Sequence, residues 1–238
     1  MKELLLDGLT RMGLSPTPRQ TEQLAEYARL LLEQNQVMNL TAITQPDQVA
    51  RLHFLDSASV IAWKGPGSLA GKSVIDVGTG AGFPGVVLKI LEPSLELTLV
   101  DSLGKRMAWL ENVCEAFYLD KVRCLHARAE DLALEPGFRD SFDLAVSRAV
   151  ASYPLLCELC LPYVKPGGLF IAMKSVESAG EVQGGENALK RLGGKLLESF
   201  DYAIPGAGVT HRLVTAQKTA PTPKGYPRSW GKIKKNPL

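Results

Sequence analysis

A length of 238 residues, 45% of them hydrophobic and 22% charged, suits one α/β domain with a small appendage and is short for two full domains. No apolar run approaches the roughly 20 residues of a membrane span, and the opening MKELLLDGLTRMG has acids where a signal peptide has its apolar core. We therefore expect a cytoplasmic protein with no membrane partner, and a formal net charge of only +2 argues against a uniformly basic surface.

The first part of the chain is predicted to form helices. Pro16-Thr17-Pro18 ends one helix and starts another, in which apolar residues recur at helical spacing through TEQLAEYARLLLEQ. A third helical pattern begins at Pro46 and runs through PDQVARLHFLDSASVIAWK. Glycine and proline then break the pattern at residues 64–67. We predict an N-terminal helical extension, residues 1–68, that packs on the rest of the molecule.

Short β-branched runs alternate with helical runs from Ser73 to about residue 218, beginning with SVIDV, PGVVLKILE and LELTLVD. Such alternation requires crossover connections and predicts a mainly parallel sheet with helices on both faces. We therefore predict a Rossmann-like α/β core of seven strands at residues 69–220, followed by a basic tail at residues 221–238. The ligands of such sheets lie at the carboxyl ends of the strands, so candidate site residues are expected there.

Two overlapping glycine codes follow the first predicted strand, in VIDVGTGAGFPG. Residues 80–85 read G-x-G-x-x-G, the dinucleotide fingerprint, whereas residues 76–82 read D-x-G-x-G-x-G. The apolar run stops before Gly78, so the turn starts there and favours the second code. The carboxylate of Asp76 would repel a pyrophosphate but attract the amino group and sulfonium of S-adenosylmethionine, which is therefore the expected cofactor. The glycines of this code are Gly78, Gly80 and Gly82.

Two further strand ends carry candidate cofactor contacts. LTLVD ends in Asp101, whose carboxylate could accept two hydrogen bonds from a ribose diol, although the same acid also occurs in NAD-binding proteins. Ala129, Glu130 and Asp131 follow the predicted strand VRCLH, where they could hydrogen-bond an adenine edge. Asp131 could equally serve as the N-cap of the next helix, and both interpretations stay open.

The fourth predicted strand ends in SRAV, residues 147–150, where methyltransferases that act on exocyclic amines tend to carry N-P-P-Y or D-P-P-Y. Carbon-5 pyrimidine methyltransferases need a cysteine nucleophile instead, and Cys157 and Cys160 lie one to two turns into the following helix. A ring nitrogen with a free lone pair needs neither device. Arg148 is a candidate catalytic and cofactor-binding residue, because methyl donor and acceptor must meet at this strand end.

The cysteines predict no metal site. Cys157-x-x-Cys160 would need two further zinc ligands, and the three histidines are scattered singly. We expect reduced cysteines packed on a helix face. His53, Trp63, Met107 and Trp109 are likewise expected to be packed rather than functional.

Basic residues are concentrated at the end of the chain. Residues 202–238 contain seven basic residues and no acid, whereas residues 1–201 carry 20 basic and 25 acidic groups. Basic residues interleaved with Tyr226 and Trp230 combine phosphate contacts with stacking surfaces, which indicates an RNA partner, although a solvated tail would look similar. The candidate RNA contacts are Lys174 at a strand end and, in the tail, Arg228, Lys232, Lys234 and Lys235.

Five motifs follow one another along essentially the whole chain: MNLTAI (38–43), HFLDS (53–57), DVGTGAGFPG (76–85), SRAV (147–150) and YPRSWGKIKKNPL (226–238). Together they resemble the ribosomal RNA small subunit methyltransferase G family. The resemblance implies a class I S-adenosylmethionine-dependent methyltransferase that methylates N7 of one guanine in bacterial 16S ribosomal RNA. It also implies cofactor contacts by Gly78, Phe83, Ala129, Glu130 and Arg148.

The chain departs from the pattern of this family at two positions, Ser175 after AMK and Ile233 in the tail, and both concern the predicted RNA contacts rather than the cofactor pocket. We expect a monomer whose partner is 16S ribosomal RNA or a small-subunit particle. A small-molecule methyltransferase would need the same glycine loop and acids, and a non-catalytic nucleotide-binding sensor could use the same fold. The basic tail favours RNA over a small acceptor.

Overall fold

The computed structural model describes residues 1–63, 65 and 67–238. Lys64 and Pro66, which belong to the predicted break between the helices and the sheet, lie outside the described residues. Within the described residues, no helix is both long and apolar enough to cross a membrane.

Two helices open the chain, α1 at Lys2–Arg11 and α2 at Pro18–Met38. Thr17 caps α2, because its hydroxyl accepts from the Gln20 N–H while the Gln20 side chain accepts from the Thr17 N–H. This reciprocal pair satisfies two backbone donors that the helix leaves free. The predicted break at Pro16-Thr17-Pro18 is confirmed.

The third predicted helix is continuous but changes its winding. It consists of α3 at Pro46–Val49, a π-helical turn at Ala50–Leu55 and α4 at Asp56–Ala62. π-Helical turns occur frequently at functional sites, and hydrophobic spacing does not reveal them. Here the turn presents the carbonyl groups of Leu52 and His53 to a side chain from the sheet.

Strands and helices alternate through the rest of the chain, as predicted. The connecting 3₁₀ turns lie at Leu161–Tyr163 and Val176–Ser178. The remaining bounds are β1 Ser73–Val77, α5 Gly85–Leu91, β2 Glu96–Asp101, α6 Gly104–Ala116, β3 Val122–His126, α7 Ala129–Leu132, β4 Phe142–Arg148, α8 Tyr153–Cys160, β5 Val164–Ser175, α9 Ala179–Gly184, α10 Glu186–Arg191, β6 Gly194–Leu196, β7 Phe200–Ala203, β8 Thr210–Lys218 and α11 Trp230–Lys235.

One sheet runs in the order β3-β2-β1-β4-β5-β8-β6, and β7 also pairs with β8. β1 to β5 pair in parallel, whereas β8 is antiparallel to β5, β6 and β7. β6 pairs with residues 216–218 of β8 and β7 with residues 210–213, so the two share one edge and together occupy the seventh strand position. The predicted mainly parallel α/β fold is confirmed, but the sheet has eight strands instead of the predicted seven, because the seventh position is divided between β6 and β7.

The chain reverses its direction across the sheet between β1 and β4. From β1 the chain moves outward through β2 to β3, and it then returns to place β4 on the other side of β1. Crossover helices on opposite faces leave a crevice at such a switch point, outside the carboxyl ends of the strands. The loops after β1 and β4 flank this crevice.

An apolar cluster covers each face of the sheet. Val74 of β1 belongs to one cluster and Ile75 to the other, as side-chain alternation on a strand requires. Leu5 and Tyr27 of the N-terminal helices lie in the first cluster, and Ile233 of α11 lies in the second. The N-terminal helices and the tail therefore pack on opposite faces. The division of the chain at residues 68 and 220 stays a prediction.

Candidate functional site

A cavity of about 550 Å³ lies at the carboxyl ends of β1 to β4, beside the switch point. Small-ligand pockets typically have roughly 300–1,000 Å³. Asp76, Gly82 and the five predicted RNA contacts lie outside its lining. The predicted site residues that it brings together are Gly78, Gly80, Phe83, Asp101, Ala129, Glu130 and Arg148.

The loop after β1 adopts a conformation that needs glycine. Gly78 and Gly82 have φ of +71° and +88°, in the left-handed region that residues with a Cβ atom rarely adopt. A Cβ atom on Gly78 would lie 2.4 Å from Cγ2 of Val150, and one on Gly82 would lie 2.2 Å from Oη of Tyr27. Both glycines thus serve the close packing of the loop, whereas a Cβ atom on Gly80 would have only the Gly78 carbonyl oxygen near it, at 4.0 Å.

Asp76 is fully buried beneath this loop and does not reach the cavity. Its Oδ2 accepts from Thr79 Oγ1 at 2.7 Å and from the Gly85 N–H at 2.8 Å, while its Oδ1 has no partner among the described residues. Burial raises the pKa of Asp76 to about 6, against the opposing effect of these hydrogen bonds. The sequence suggests direct contact with the cofactor, but this geometry makes Asp76 a residue that holds the loop.

The backbone N–H groups of the loop are largely bonded to the protein itself. A dinucleotide site needs such groups free, because they bind the pyrophosphate at the start of the helix. At the start of α5 the carboxylate of Asp76 already accepts from Gly85, and Pro84 has no N–H. This geometry argues against the G-x-G-x-x-G interpretation of residues 80–85. The loop N–H groups that donate to protein acceptors belong to Gly78, Thr79, Gly80, Gly82, Phe83 and Gly85.

Asp101 and Glu130 bring two carboxylates to the cavity. Oδ1 of Asp101 accepts from the Leu103 N–H at 2.9 Å and Oδ2 from the Gly80 N–H at 3.0 Å. Oδ2 also accepts from Nη1 of Arg106 at 3.5 Å. Oδ1 retains a lone pair, so the carboxylate can still accept a hydrogen bond from a diol. Glu130 is 7% exposed, and its carboxylate has no hydrogen-bond partner within the described part of the chain. Two mostly buried carboxylates thus remain able to accept hydrogen bonds from a ligand.

The alternative role of Asp131 as an N-cap is wrong. α7 begins at Ala129, its N-cap is Arg128, and Asp131 lies within its first turn. The carbonyl of Ala129 is held by a hydrogen bond of 2.6 Å from the hydroxyl of Tyr163. Ala129 and Glu130 are therefore presented to the cavity by the start of a short, anchored helix.

Arg148 ends β4 and lines the cavity, but most of its donors are already used. Its Nη1 donates to Oδ2 of Asp56 at 2.8 Å and to the Leu52 carbonyl at 3.0 Å, and its Nη2 donates to Nδ1 of His53 at 3.2 Å. Its guanidinium carbon lies 5.1 Å from the centre of the Phe83 ring. Arg148 thereby joins the π-helical turn to the sheet. Any part that it plays in catalysis, as predicted, is played by a guanidinium that the protein holds in place.

Asp56 is the centre of this buried network. Its Oδ1 accepts from Tyr202 Oη at 2.7 Å and from His211 Nδ1 at 2.8 Å, in addition to the ion pair with Arg148. Burial alone would raise the pKa of Asp56, but His211, Arg148 and Tyr202 together hold it below its ordinary value. The carboxylate is therefore ionised and fully engaged within the fold.

His53 is neutral and packed, as expected, yet it also lines the cavity. A guanidinium can only donate, so Nδ1 of His53 accepts from Arg148, and Nε2 carries the proton that it donates to Thr41 Oγ1 at 2.8 Å. The ring stacks on Phe83 with centres 4.9 Å apart. Burial and the charge of Arg148 lower the pKa of His53 to about 4.

The cysteines are packed, as predicted. Cys157 and Cys160 are fully buried in α8, and burial raises the pKa of both thiols, so neither is available as a thiolate nucleophile. Within the described residues, no group of three or more His, Cys, Asp and Glu side chains could hold a metal ion.

Ser147, which precedes Arg148 in β4, is buried, and its hydroxyl donates to the Val77 carbonyl at 2.8 Å.

Two of the predicted RNA contacts are engaged inside the protein. Arg228 donates from Nε and Nη2 to the carboxylate of buried Glu158, at 2.8 and 2.6 Å. Lys174 is 13% exposed and donates to Glu181 at 2.9 Å and to the Ala151 carbonyl at 3.0 Å. Lys232, Lys234 and Lys235 are exposed on α11 and have no ion pair within the described part of the chain.

Sequence reasoning missed several residues that line the cavity. Arg128 is exposed at its rim, and Trp230 reaches it from the tail. Arg128 immediately precedes the predicted Ala129-Glu130 pair, so its position was a usable signal. Nothing in the sequence predicts that Trp230, far along the chain, packs beside that pair.

Several known proteins with similar sequences carry the same name. A family profile described as rRNA small subunit methyltransferase G matches residues 20–201. "Ribosomal RNA small subunit methyltransferase G" of Alkaliphilus oremlandii is 45% identical over 238 residues, which cover 100% of this chain and 99% of the relative. The protein of that name from Lachnoclostridium phytofermentans is 45% identical over 233 residues, with coverages of 98% and 96%.

A solved structure shares the fold at low sequence identity. The crystal structure of a SAM-dependent methyltransferase from Aquifex aeolicus superimposes with a TM-score of 0.54 at 16% identity, covering 74% of this chain and 94% of that chain. At this identity the likeness concerns the fold alone.

Proposed function

Because this chain belongs to the rRNA small subunit methyltransferase G family, we propose that it transfers a methyl group from S-adenosylmethionine to N7 of one guanine in bacterial 16S ribosomal RNA. The substrate is the RNA itself or a small-subunit particle, and the reaction takes place in the cytoplasm, where that RNA is found.

The observation that carries the proposal is the arrangement of the loop after β1. Most of its N–H groups are bonded within the protein, and the buried carboxylate of Asp76 lies at the start of α5, so the site suits a cationic nucleoside better than a pyrophosphate. Asp101 and Glu130 supply hydrogen-bond acceptors within the same cavity. The ribose diol and the adenine amine of S-adenosylmethionine can donate to these acceptors, and the negative charge of the carboxylates favours its positive sulfonium.

When bound, S-adenosylmethionine supplies a methyl group that is already activated by the positive sulfur. The residues of this chain then have to bind and orient. Asp101 accepts from the ribose, Glu130 and the start of α7 face the base, and Gly80 allows close approach at the loop. Holding two reactants in line can lower the barrier by about 7–11 kcal/mol.

No general base is required, because the lone pair of guanine N7 carries no proton that must be removed. No covalent enzyme intermediate is required either, which agrees with the burial of Cys157 and Cys160. Arg148 acts as a positioning residue in this scheme. Its guanidinium, fixed between Asp56 and Phe83, shapes the floor of the cavity beside the strand end where donor and acceptor meet.

The exposed basic residues near the cavity supply the RNA side of the proposal. Arg128 lies at the rim, and α11, which begins with the cavity residue Trp230, carries Lys232, Lys234 and Lys235. At a rise of about 1.5 Å per residue, all three lysines lie within about 8 Å of Trp230 along the helix axis. They can therefore bind phosphates of an RNA whose base enters the cavity.

Incubation with methyl-labelled S-adenosylmethionine tests the proposal directly. The purified chain is given 16S ribosomal RNA or small ribosomal subunits from cells that lack it, and the labelled nucleoside is identified after digestion. We expect 7-methylguanosine at a single position. Label in small molecules alone would indicate a small-molecule methyltransferase, and cofactor binding without transfer would indicate a sensor.

A further inference from the structure

The C-terminal tail forms part of the wall of the cavity. Trp230, the first residue of α11, is half-buried and lines the cavity together with Ala129 of α7 and Leu159 of α8. α7 and α11 both pack against α8, which brings the three residues to one side of the cavity.

Anchors on both sides of Trp230 hold it in this position. Two residues earlier, Arg228 forms a bidentate ion pair with Glu158, and its N–H donates to the same carboxylate at 2.8 Å. Three residues later, Ile233 is fully buried in the apolar cluster on this face. Glu158 precedes Leu159 in α8, so one turn of helix both anchors the tail and lines the cavity.

The side of the cavity that contains Trp230 suits a flat apolar group. The indole, the methyl of Ala129 and the side chain of Leu159 offer surface without charge, and the Glu130 carboxylate lies beside them. The carboxylate of Asp101, which suits a ribose, lies at the end of strand β2 and lines the same cavity. A purine attached to that ribose needs an apolar face for its ring and an acceptor for its amine.

We propose that Trp230 contacts the adenine of the cofactor, so that the C-terminal tail is a component of the cofactor site as well as of the RNA-binding surface. This inference rests on the proposed function, since it assigns a part of the same cavity. It also means that RNA held by α11 and cofactor held by Trp230 contact the same short helix.

Intrinsic fluorescence tests the contact without altering Trp230. The chain has three tryptophans, and the Trp63→Phe/Trp109→Phe double variant leaves Trp230 as the only one. Titration of this variant with S-adenosylhomocysteine should change the intensity and emission maximum, with a midpoint equal to the dissociation constant from calorimetry. An unchanged spectrum at saturation overturns the inference.

Calorimetry of variants measures what the contact contributes. Base–aromatic stacking is worth ~1–3 kcal/mol, so Trp230→Ala should weaken S-adenosylhomocysteine binding by about tenfold or more, and Trp230→Phe should recover most of the loss. Tyr226→Ala is the matched control, because Tyr226 packs on the same apolar cluster but does not line the cavity.

Three results of the calorimetry would contradict the inference, and each would have a different meaning. Wild-type binding by Trp230→Ala overturns the adenine contact and leaves the proposed function intact. Equal weakening by Trp230→Ala and Tyr226→Ala shows that only packing of the tail matters, and also overturns it. Absence of S-adenosylhomocysteine binding by the wild-type chain overturns the proposed function, and the inference with it.

Discussion

The guanidinium of Arg148 joins three parts of the molecule at one point. It ends β4, forms an ion pair with Asp56 at the start of α4, and lies over the Phe83 ring of the glycine loop. Removal of one partner from a buried ion pair typically costs about 3–5 kcal/mol, because the other charge stays buried. Loss of activity in an Arg148 variant therefore reports on folding as well as on chemistry.

His53 makes the stability of the protein dependent on pH. Its pKa is about 4 in the folded chain and about 6.5 in an unfolded one, so between these values the unfolded state binds more protons. The contribution of His53 to the free energy of unfolding is fully present above pH 6.5 and decreases as the pH falls toward 4. Between pH 8 and pH 5 we expect the wild type to lose about 2 kcal/mol relative to His53→Gln.

Urea unfolding of both proteins at the two pH values measures this effect. Asp76 acts in the opposite direction, since its pKa of about 6 lies above its ordinary value and its stability contribution falls as the pH rises from about 4 to 6. Because both proteins contain Asp76, its contribution cancels in the comparison. A difference that stays constant from pH 8 to pH 5 would mean that His53 is protonated normally in the folded chain.

At the scale of elements, the loop between β1 and α5 is held from below by Asp76 and from the side by Tyr27. The hydroxyl of Tyr27 donates to the Ala81 carbonyl, and its ring stacks on Phe83. Substitution of Gly78 or Gly82 would therefore disturb packing as well as ligand binding. Gly80 separates the two effects, because its position is open on the cavity side.

Gly80→Ala should weaken S-adenosylhomocysteine binding at least tenfold while costing only about 1–2 kcal/mol of stability, the usual cost of a left-handed residue with a Cβ atom. Gly71→Ala is the matched control, since Gly71 has φ of +69°, open space around it and a place outside the cavity. Calorimetry and urea unfolding measure the two quantities. Equal affinities of the two variants would show that no ligand approaches Gly80 closely.

At the scale of the whole molecule, ion pairs reduce the basic excess of the C-terminal part. Three of its seven basic residues are paired, Arg212 with Asp201, Lys218 with Asp140 and Arg228 with Glu158. The first two pairs belong to β8, and the third ties the tail to α8. The charge available to an RNA in this part of the chain is therefore concentrated on Lys224 and on the lysines of α11.

The lysines of α11 should determine a large part of the salt dependence of RNA binding. The slope of log affinity against log salt falls by roughly 0.7–0.9 for each phosphate that the protein no longer neutralises, so alanine at Lys232, Lys234 and Lys235 should lower it by about 2–3. Cofactor affinity should be unchanged, because none of the three lines the cavity.

A variant with the same loss of charge provides the control. Lys190, Arg191 and Lys195 are exposed near β6, which pairs with the end of β8 farthest from the cavity. Alanine at these positions should leave the slope close to that of the wild type. If both triple variants lower the slope equally, the tail has no special role and net charge alone attracts the RNA.

The sequence alone determined the α/β class, the edge of the sheet at which the cavity lies, and the family. These depend on local signals: alternating helical and β-branched runs, glycines that follow a strand, and motifs read in order along the chain. The strand ends beside Asp76 and at Asp101 and Arg148 were correctly located, since the position where an apolar run stops is a local property. The roles of these residues in binding stay predictions.

Only the tertiary structure decided which charged side chains are free to contact a ligand. Asp76 turned out to lie beneath its loop, Arg228 against Glu158 and Arg148 against Asp56, and each of these outcomes depends on a partner or a depth of burial that spacing does not encode. Trp230 reaches the cavity because an ion pair and a buried isoleucine fold the tail back along α8. A residue type determines what chemistry a side chain can perform, whereas the free energy of burial and of long-range pairing determines whether that side chain remains free to perform it.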